Sequence, residues 1–125
     1  MAVGAGGAAG AIARYLVYLS ATHIFGHSFP YGTLIVNIFG SLLMGILIET
    51  LALAWNVSNE LRLFMVVGVL GAFTTFSTFP LDFAVLYERG RWELCTLYVS
   101  VSVVCSIGVL FLGMHATRGF LAPEL

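Results

Sequence analysis

Four stretches, 3–22, 32–53, 61–87 and 93–117, are so apolar and so sparsely charged that each reads as a membrane crossing. A bilayer's hydrocarbon core is crossed by roughly 20 apolar residues in a helix, and all four reach that length. Water is the wrong solvent for such a chain, because only 9% of its residues are charged where a soluble surface carries about a quarter. In lipid every backbone N–H and C=O must be bonded within the protein, which restricts the crossings to helices. The expectation is an all-α membrane protein, a single four-helix transmembrane domain over residues 1–125. The connections agree: HIFGHSFPY with Gly26 and Pro30, AWNVSNE with Ser58 or Asn59 as a helix cap, and ERGRWE. All three are short, so consecutive helices should lie antiparallel beside each other. The first residues lack the basic region and cleavage pattern of a secretory signal, so the whole chain is read as mature.

Charge then narrows the function. Net charge is -1, with five arginines and no lysine, so there is no basic field for nucleic acid. Four crossings put Arg62 and Arg118 on one side of the bilayer and Arg89 and Arg91 on the other, leaving the positive-inside rule little bias to act on. One reading is insertion in both orientations and an antiparallel, dual-topology homodimer; the other is that Arg14 or the N-terminal amine fixes one orientation. Association is suggested by GAGGAAG, with Gly6 and Gly10 in GxxxG spacing, and by Ser41 and Gly45. GAGGAAG also matches a loose dinucleotide fingerprint at Gly4, Gly6 and Ala9, but no strand precedes it, so a nucleotide site is rejected. Cys95 and Cys105 read as small hydrophobes, and His23 and His27 lack a third ligand nearby. Glu49 is placed to reach the membrane surface, and Trp55 and Trp92 to anchor at headgroups. No nucleophile with a paired base appears, which argues against an enzyme.

The anomaly in this oily chain is GAFTTFSTFP, Gly71 to Pro80, with four hydroxyls crowded around Phe76. Pro80 removes a backbone donor and collides with the carbonyl of Phe76, so a break in the third helix is expected between Gly71 and Pro80. A break survives in hydrocarbon only where protein or trapped water satisfies it, which places the third span at the centre of the assembly. Carbonyls freed there could hold a cation, as in the broken helices of transporters. Tyr98, Ser102 and Ser106 share one face of the fourth span, and Thr33 and Asn37 share one face of the second. Singly, each such residue reads as helix glue; two stripes facing a break could instead form a file of donors. Hydroxyls and one carboxamide, with no acidic ring, suit an anion that sheds water.

The glycine-rich start followed by Arg14 and Tyr15, then GTLIVNIFGS, then GAFTTFSTF, resemble the small bacterial fluoride channels of the Fluc, or CrcB, family. The likeness runs over nearly the whole chain. It implies a dual-topology homodimer in the bacterial inner membrane, among lipid, that lets fluoride out passively through two pores, with a structural sodium ion at the dimer centre. By the same resemblance Phe76 and Phe79 would offer ring edges to fluoride and Asn37 an amide hydrogen. Ser77, Thr78, Thr33, Tyr98, Ser102 and Ser106 would supply further pore contacts, and the main-chain carbonyls of Gly71 and Thr74 would bind sodium. Three positions depart from the family pattern: Ala72 replaces a second glycine, Pro80 a serine, and Asp82 a glutamate; Asp82 reads as structural or as a hydrogen-bond relay. Two alternatives share the size and the four spans. A small proton-coupled multidrug exporter would need an acidic residue in the first span, which holds Arg14 instead; a non-transporting assembly subunit would make the polar stripes mere glue.

Overall fold

The computed structural model describes residues 1–122. Helix α1 spans Ala2–Phe25 and α2 spans Tyr31–Leu53. The third crossing begins with α-helical Asn59–Arg62, widens to π-helical Leu63–Leu70, and closes with α-helical Gly71–Phe73; these form α3 (59–73). Helix α4, Thr78–Glu88, completes that crossing, and α5 is Trp92–Leu121. Counting α3 and α4 together, four helical segments are long and apolar enough to cross a membrane. At 1.5 Å per residue the 30 residues of α5 extend about 45 Å, well beyond a hydrocarbon core of about 30 Å. Its ends therefore lie outside the oily layer, where hydropathy no longer marks where a helix stops, and α5 runs four residues past the predicted end.

Local chemistry explains the joints. Ser58 Oγ accepts the N–H of Leu61 at 3.2 Å, a side-chain cap on the third crossing. Gly26 and Gly90 take positive φ values of 81° and 72° at the ends of α1 and α4, a region open to glycine without strain. Pro80 is the third residue of α4, in the first turn, where its missing N–H would have had no helical partner. The proline starts the second half-helix without penalty. What ends α3 is the hydrogen bonding of residues 74–78, described below.

The closest partnerships join alternate rather than consecutive crossings: α2 with α5, and α1 with α3. Hydrophobicity cannot drive this in lipid, so backbones must approach closely. A Cβ on Gly113 would stand 2.8 Å from the carbonyl oxygen of Leu42, and one on Gly68 would stand 2.8 Å from the Cα of Gly6. The interior between these pairs is small. Val36 and Tyr98 are fully buried, and Leu86, Cys95 and Tyr98 form a cluster flanked by Phe29, Leu34 and Phe79.

One expectation is refined here. Glu49 is not a free carboxylate at the end of its span; it is buried, and its Oε1 accepts from Arg118 Nη2 at 2.6 Å, tying the end of α2 to the end of α5. Side-chain exposure is 40% for Arg118 and 9% for Glu49. The asymmetry yields a prediction. Glu49→Gln leaves an arginine that can swing to water and should lower stability by less than about 1 kcal/mol. Arg118→Ala strands a buried carboxylate and should lower it by about 2 kcal/mol, below the roughly 3–5 kcal/mol of fully buried pairs because the arginine is partly solvated. Unfolding curves of the two variants in mixed micelles check the order.

Candidate functional site

The gap between α3 and α4 is held open by side chains that take over backbone partners. Thr74 leaves helical geometry with ψ at 158°. In an uninterrupted helix the N–H of Thr75 would serve the carbonyl of Gly71. Here Thr75 N–H donates instead to Asn37 Oδ1 at 2.7 Å, while Asn37 Nδ2 donates to the carbonyl of Thr75 at 2.8 Å. Likewise the N–H of Thr78, the helical partner of Thr74's carbonyl, donates to Thr75 Oγ1 at 3.3 Å. The carbonyls of Gly71 and Thr74 are thus among those released at the gap. Leu70's carbonyl keeps its helical partner, the N–H of Thr74 at 3.2 Å, and also accepts Thr74 Oγ1 at 3.1 Å. Freed carbonyls at the C-terminal end of a half-helix carry partial negative charge, and hard oxygen donors of this kind suit an alkali cation.

Two polar clefts flank the gap. The deeper one, about 500 Å³, is lined by Asn37, Gly71, Thr74, Thr75, Phe76, Phe79, Ser102 and Ser106. Ser106 Oγ is buried and has no hydrogen-bond partner among the described residues, so this cleft offers a donor that nothing in the chain uses. Asn37 retains one amide N–H beyond the one given to Thr75. The ring of Phe79 stands 5.7 Å from that of Phe76 and 5.1 Å from that of Tyr98. Phe76 is 77% exposed, on the chain's outer face.

The second cleft, about 320 Å³, opens near Arg89 and is lined by Tyr18, Thr33, Thr78 and Asp82 among others. Asp82 Oδ2 accepts from Thr33 Oγ1 at 2.6 Å and from Tyr98 Oη at 3.0 Å. A hydroxyl has one hydrogen to give, so while Asp82 is ionised it claims the protons of both Thr33 and Tyr98. Tyr18 Oη lies 3.4 Å from both Thr33 Oγ1 and Thr78 Oγ1. Thr78 Oγ1 is 2.9 Å from Thr75 Oγ1, which is 3.2 Å from Ser77 Oγ. A wire of polar contacts runs through Tyr98, Asp82, Thr33, Tyr18, Thr78, Thr75 and Ser77 from one cleft to the gap, with a switch at Thr33, whose one proton goes either to Asp82 or to Tyr18.

The sequence-predicted residues thus divide. Asn37, Phe76, Phe79, Ser102, Ser106, Gly71 and Thr74 line the deeper cleft; Thr33 and Thr78 line the other; Tyr98 sits between, its hydroxyl on one side and its ring on the other. Ser77 lines neither and is exposed. Sequence reasoning missed Tyr18, although Arg14 and Thr22 stand four residues to either side of it on one helix face and Thr22 lines the same cleft. It read Asp82 as structural or a relay without naming its partners, Thr33 and Tyr98, which lie on other helices. Arg14 makes no side-chain hydrogen bond or ion pair among the described residues.

Residues 1–114 match the model of the CrcB-like, camphor-resistance protein family. A protein of Chelativorans sp. strain BNC1 is 50% identical over 121 residues, 97% of each chain. One from Agrobacterium fabrum is 50% identical over 116 residues, 93% of each chain. Both are named fluoride-specific ion channel FluC, and a relative from Nitrobacter hamburgensis, 45% identical over 118 residues and 94% of each chain, is named fluoride-specific ion channel FluC 1. With residues 1–114 matched by the family model and relatives 45–50% identical over 93–97% of the chain, the chain belongs to the CrcB-like family.

Proposed function

We propose that this chain is a fluoride-selective channel of the bacterial membrane, a multi-pass protein that lets fluoride leave the cell down its gradient, and not an enzyme. The names of its relatives support this reading, and one feature of the molecule carries it: a deep cleft in which Ser106 Oγ is buried without a partner beside Asn37, Phe79 and Ser102. Fluoride is small and tightly hydrated, so it passes only where donors replace its water. In the proposed path Asn37, Ser102 and Ser106 donate, and Phe76 and Phe79 turn their positive ring edges toward the ion. Thr33, Thr78, Ser77 and Tyr98 extend the path; Thr33 and Tyr98 become donors to the ion when Asp82 gives up their protons.

The functional unit in this reading is an antiparallel, dual-topology homodimer with two pores. The exposure of Phe76 and of Gly71 supports it, because a second copy would cover both and close the deeper cleft. The released carbonyls of Gly71 and Thr74 fit a sodium ion held between the two copies. Its chemistry there would be structural, a positive charge that holds two half-helix ends together.

Purified protein in liposomes, with fluoride efflux followed by an electrode and chloride as control, tests the function. Rapid fluoride loss with chloride retained is expected; fluoride retention would sink the reading. Ser106→Ala should slow fluoride efflux by about tenfold, the loss of one hydrogen bond to a charged ion. Its melting temperature should hardly change, since Ser106 bonds to nothing in the chain.

A further inference from the structure

Between the start of α2 and the start of α5 lies a groove of about 430 Å³ that belongs to neither polar cleft. Its wall is Leu34 of α2 with Leu94, Leu97 and Val101 of α5, the last three at the i, i+3, i+7 spacing of a single helix face. That face is distinct from the one carrying Tyr98, Ser102 and Ser106, and Leu97 is 51% exposed on it. Its polar end is formed by Ser28 and Arg91. Arg91 gives its Nε–H to Glu93 Oε1 at 2.7 Å, which leaves the two terminal amino groups of the guanidinium for another acceptor.

Depth identifies the occupant class. Trp92, 65% exposed and stacked on Tyr87 at 6.0 Å, belongs with the aromatic residues that sit at headgroup level, so its neighbour Arg91 lies at the same depth. From Arg91 to Val101 the helix climbs ~15 Å, half of a hydrocarbon core of about 30 Å. The groove is one leaflet deep, with the Arg91–Glu93 ion pair and its free guanidinium N–H groups at the headgroup and an apolar wall along its length.

We propose that this groove is a binding site for one glycerophospholipid. Its phosphate would accept from the terminal N–H groups of Arg91 and from the Ser28 hydroxyl, in the paired geometry arginine offers to phosphates. One acyl chain lies along Leu34, Leu94, Leu97 and Val101.

The test is lipid retention by the full-length protein, read by native mass spectrometry after exchange into detergent with added phosphatidylglycerol or with diacylglycerol, which lacks the phosphate. Phosphatidylglycerol should be retained and diacylglycerol should not. Arg91→Gln should lower retention about tenfold, the worth of a charge-assisted hydrogen bond, and Leu97→Trp, which fills the groove, should lower it comparably. Glu93→Gln is the control, because it removes the same ion pair but frees the arginine; it should hold or raise retention. Equal retention of the two lipids, undiminished retention in Arg91→Gln, or an equal fall in Glu93→Gln would each overturn the site. So would disulfide cross-linking between two copies through Leu97→Cys, which would put protein where the lipid belongs.

Discussion

Asn37→Ala is expected to abolish measurable fluoride efflux and to lower stability by about 2–5 kcal/mol. The stability figure follows from counting: the Asn37 carboxamide satisfies both the N–H and the C=O of Thr75, Thr75 is 8% exposed, and each buried group left without a partner costs about 1–3 kcal/mol. Loss of function has a second cause besides the missing donor. Without Asn37 nothing holds the N–H of Thr75 away from the carbonyl of Gly71; where that bond forms, the stability loss falls toward the lower figure, the helix closes, and one of the two carbonyls proposed for sodium is withdrawn. The parent protein should therefore melt at a higher temperature in sodium chloride than in the chloride of a bulky organic cation, and the variant should melt alike in both. Efflux assays and melting curves in the two salts measure both effects. A variant that folds as firmly as the parent and still answers to sodium would show that the carboxamide does not hold the gap open.

How much of this was legible beforehand differs from residue to residue. The four crossings were, because a bilayer demands length and apolarity and leaves both in plain sequence. Asn37 stood out as the one carboxamide of α2, but its bonding to the backbone of Thr75 did not, since nothing in the chain of letters says which of two facing groups supplies the partner. The burial of Glu49 went unforeseen for a related reason. A soluble helix shows its inner face by apolar stripes, whereas here apolar residues occupy every face and only the packing of α2 on α5 turns Glu49 inward. The π-helical stretch Leu63–Leu70 left no mark either, for LFMVVGVL carries neither proline nor a polar insertion; it became visible only with Gly68 seated against Gly6. Pro80 drew attention to the right segment through a clash that the structure avoids by placing it in the first turn of α4.

Asp82→Ala should lower stability by about 2–3 kcal/mol, and most of that loss should disappear in a background that already carries Tyr98→Phe. Two hydroxyls donate to Asp82, but they are not equally dependent on it. Thr33 has Tyr18 Oη 3.4 Å away and can turn its proton there. Tyr98 is fully buried and donates to Asp82, with the Thr33 hydroxyl as its other polar neighbour, so the variant leaves its hydroxyl poorly partnered, at about 1–3 kcal/mol. Tyr98→Phe alone keeps the ring packing on Phe79 at 5.1 Å and on Phe29 at 5.6 Å and should cost about 1 kcal/mol, the net worth of an ordinary hydrogen bond. Once the hydroxyl is gone, deleting the carboxylate strands nothing on α5, so the double variant should be more stable than the sum predicts by about 1–2 kcal/mol. Asp82→Asn, which keeps an acceptor for one of the two hydroxyls, should fall between the parent and Asp82→Ala. Unfolding of the four proteins of the cycle in mixed micelles gives the coupling directly. Strict additivity would mean that carboxylate and phenol act independently, and the wire from Tyr98 to Ser77 would then lose its first link.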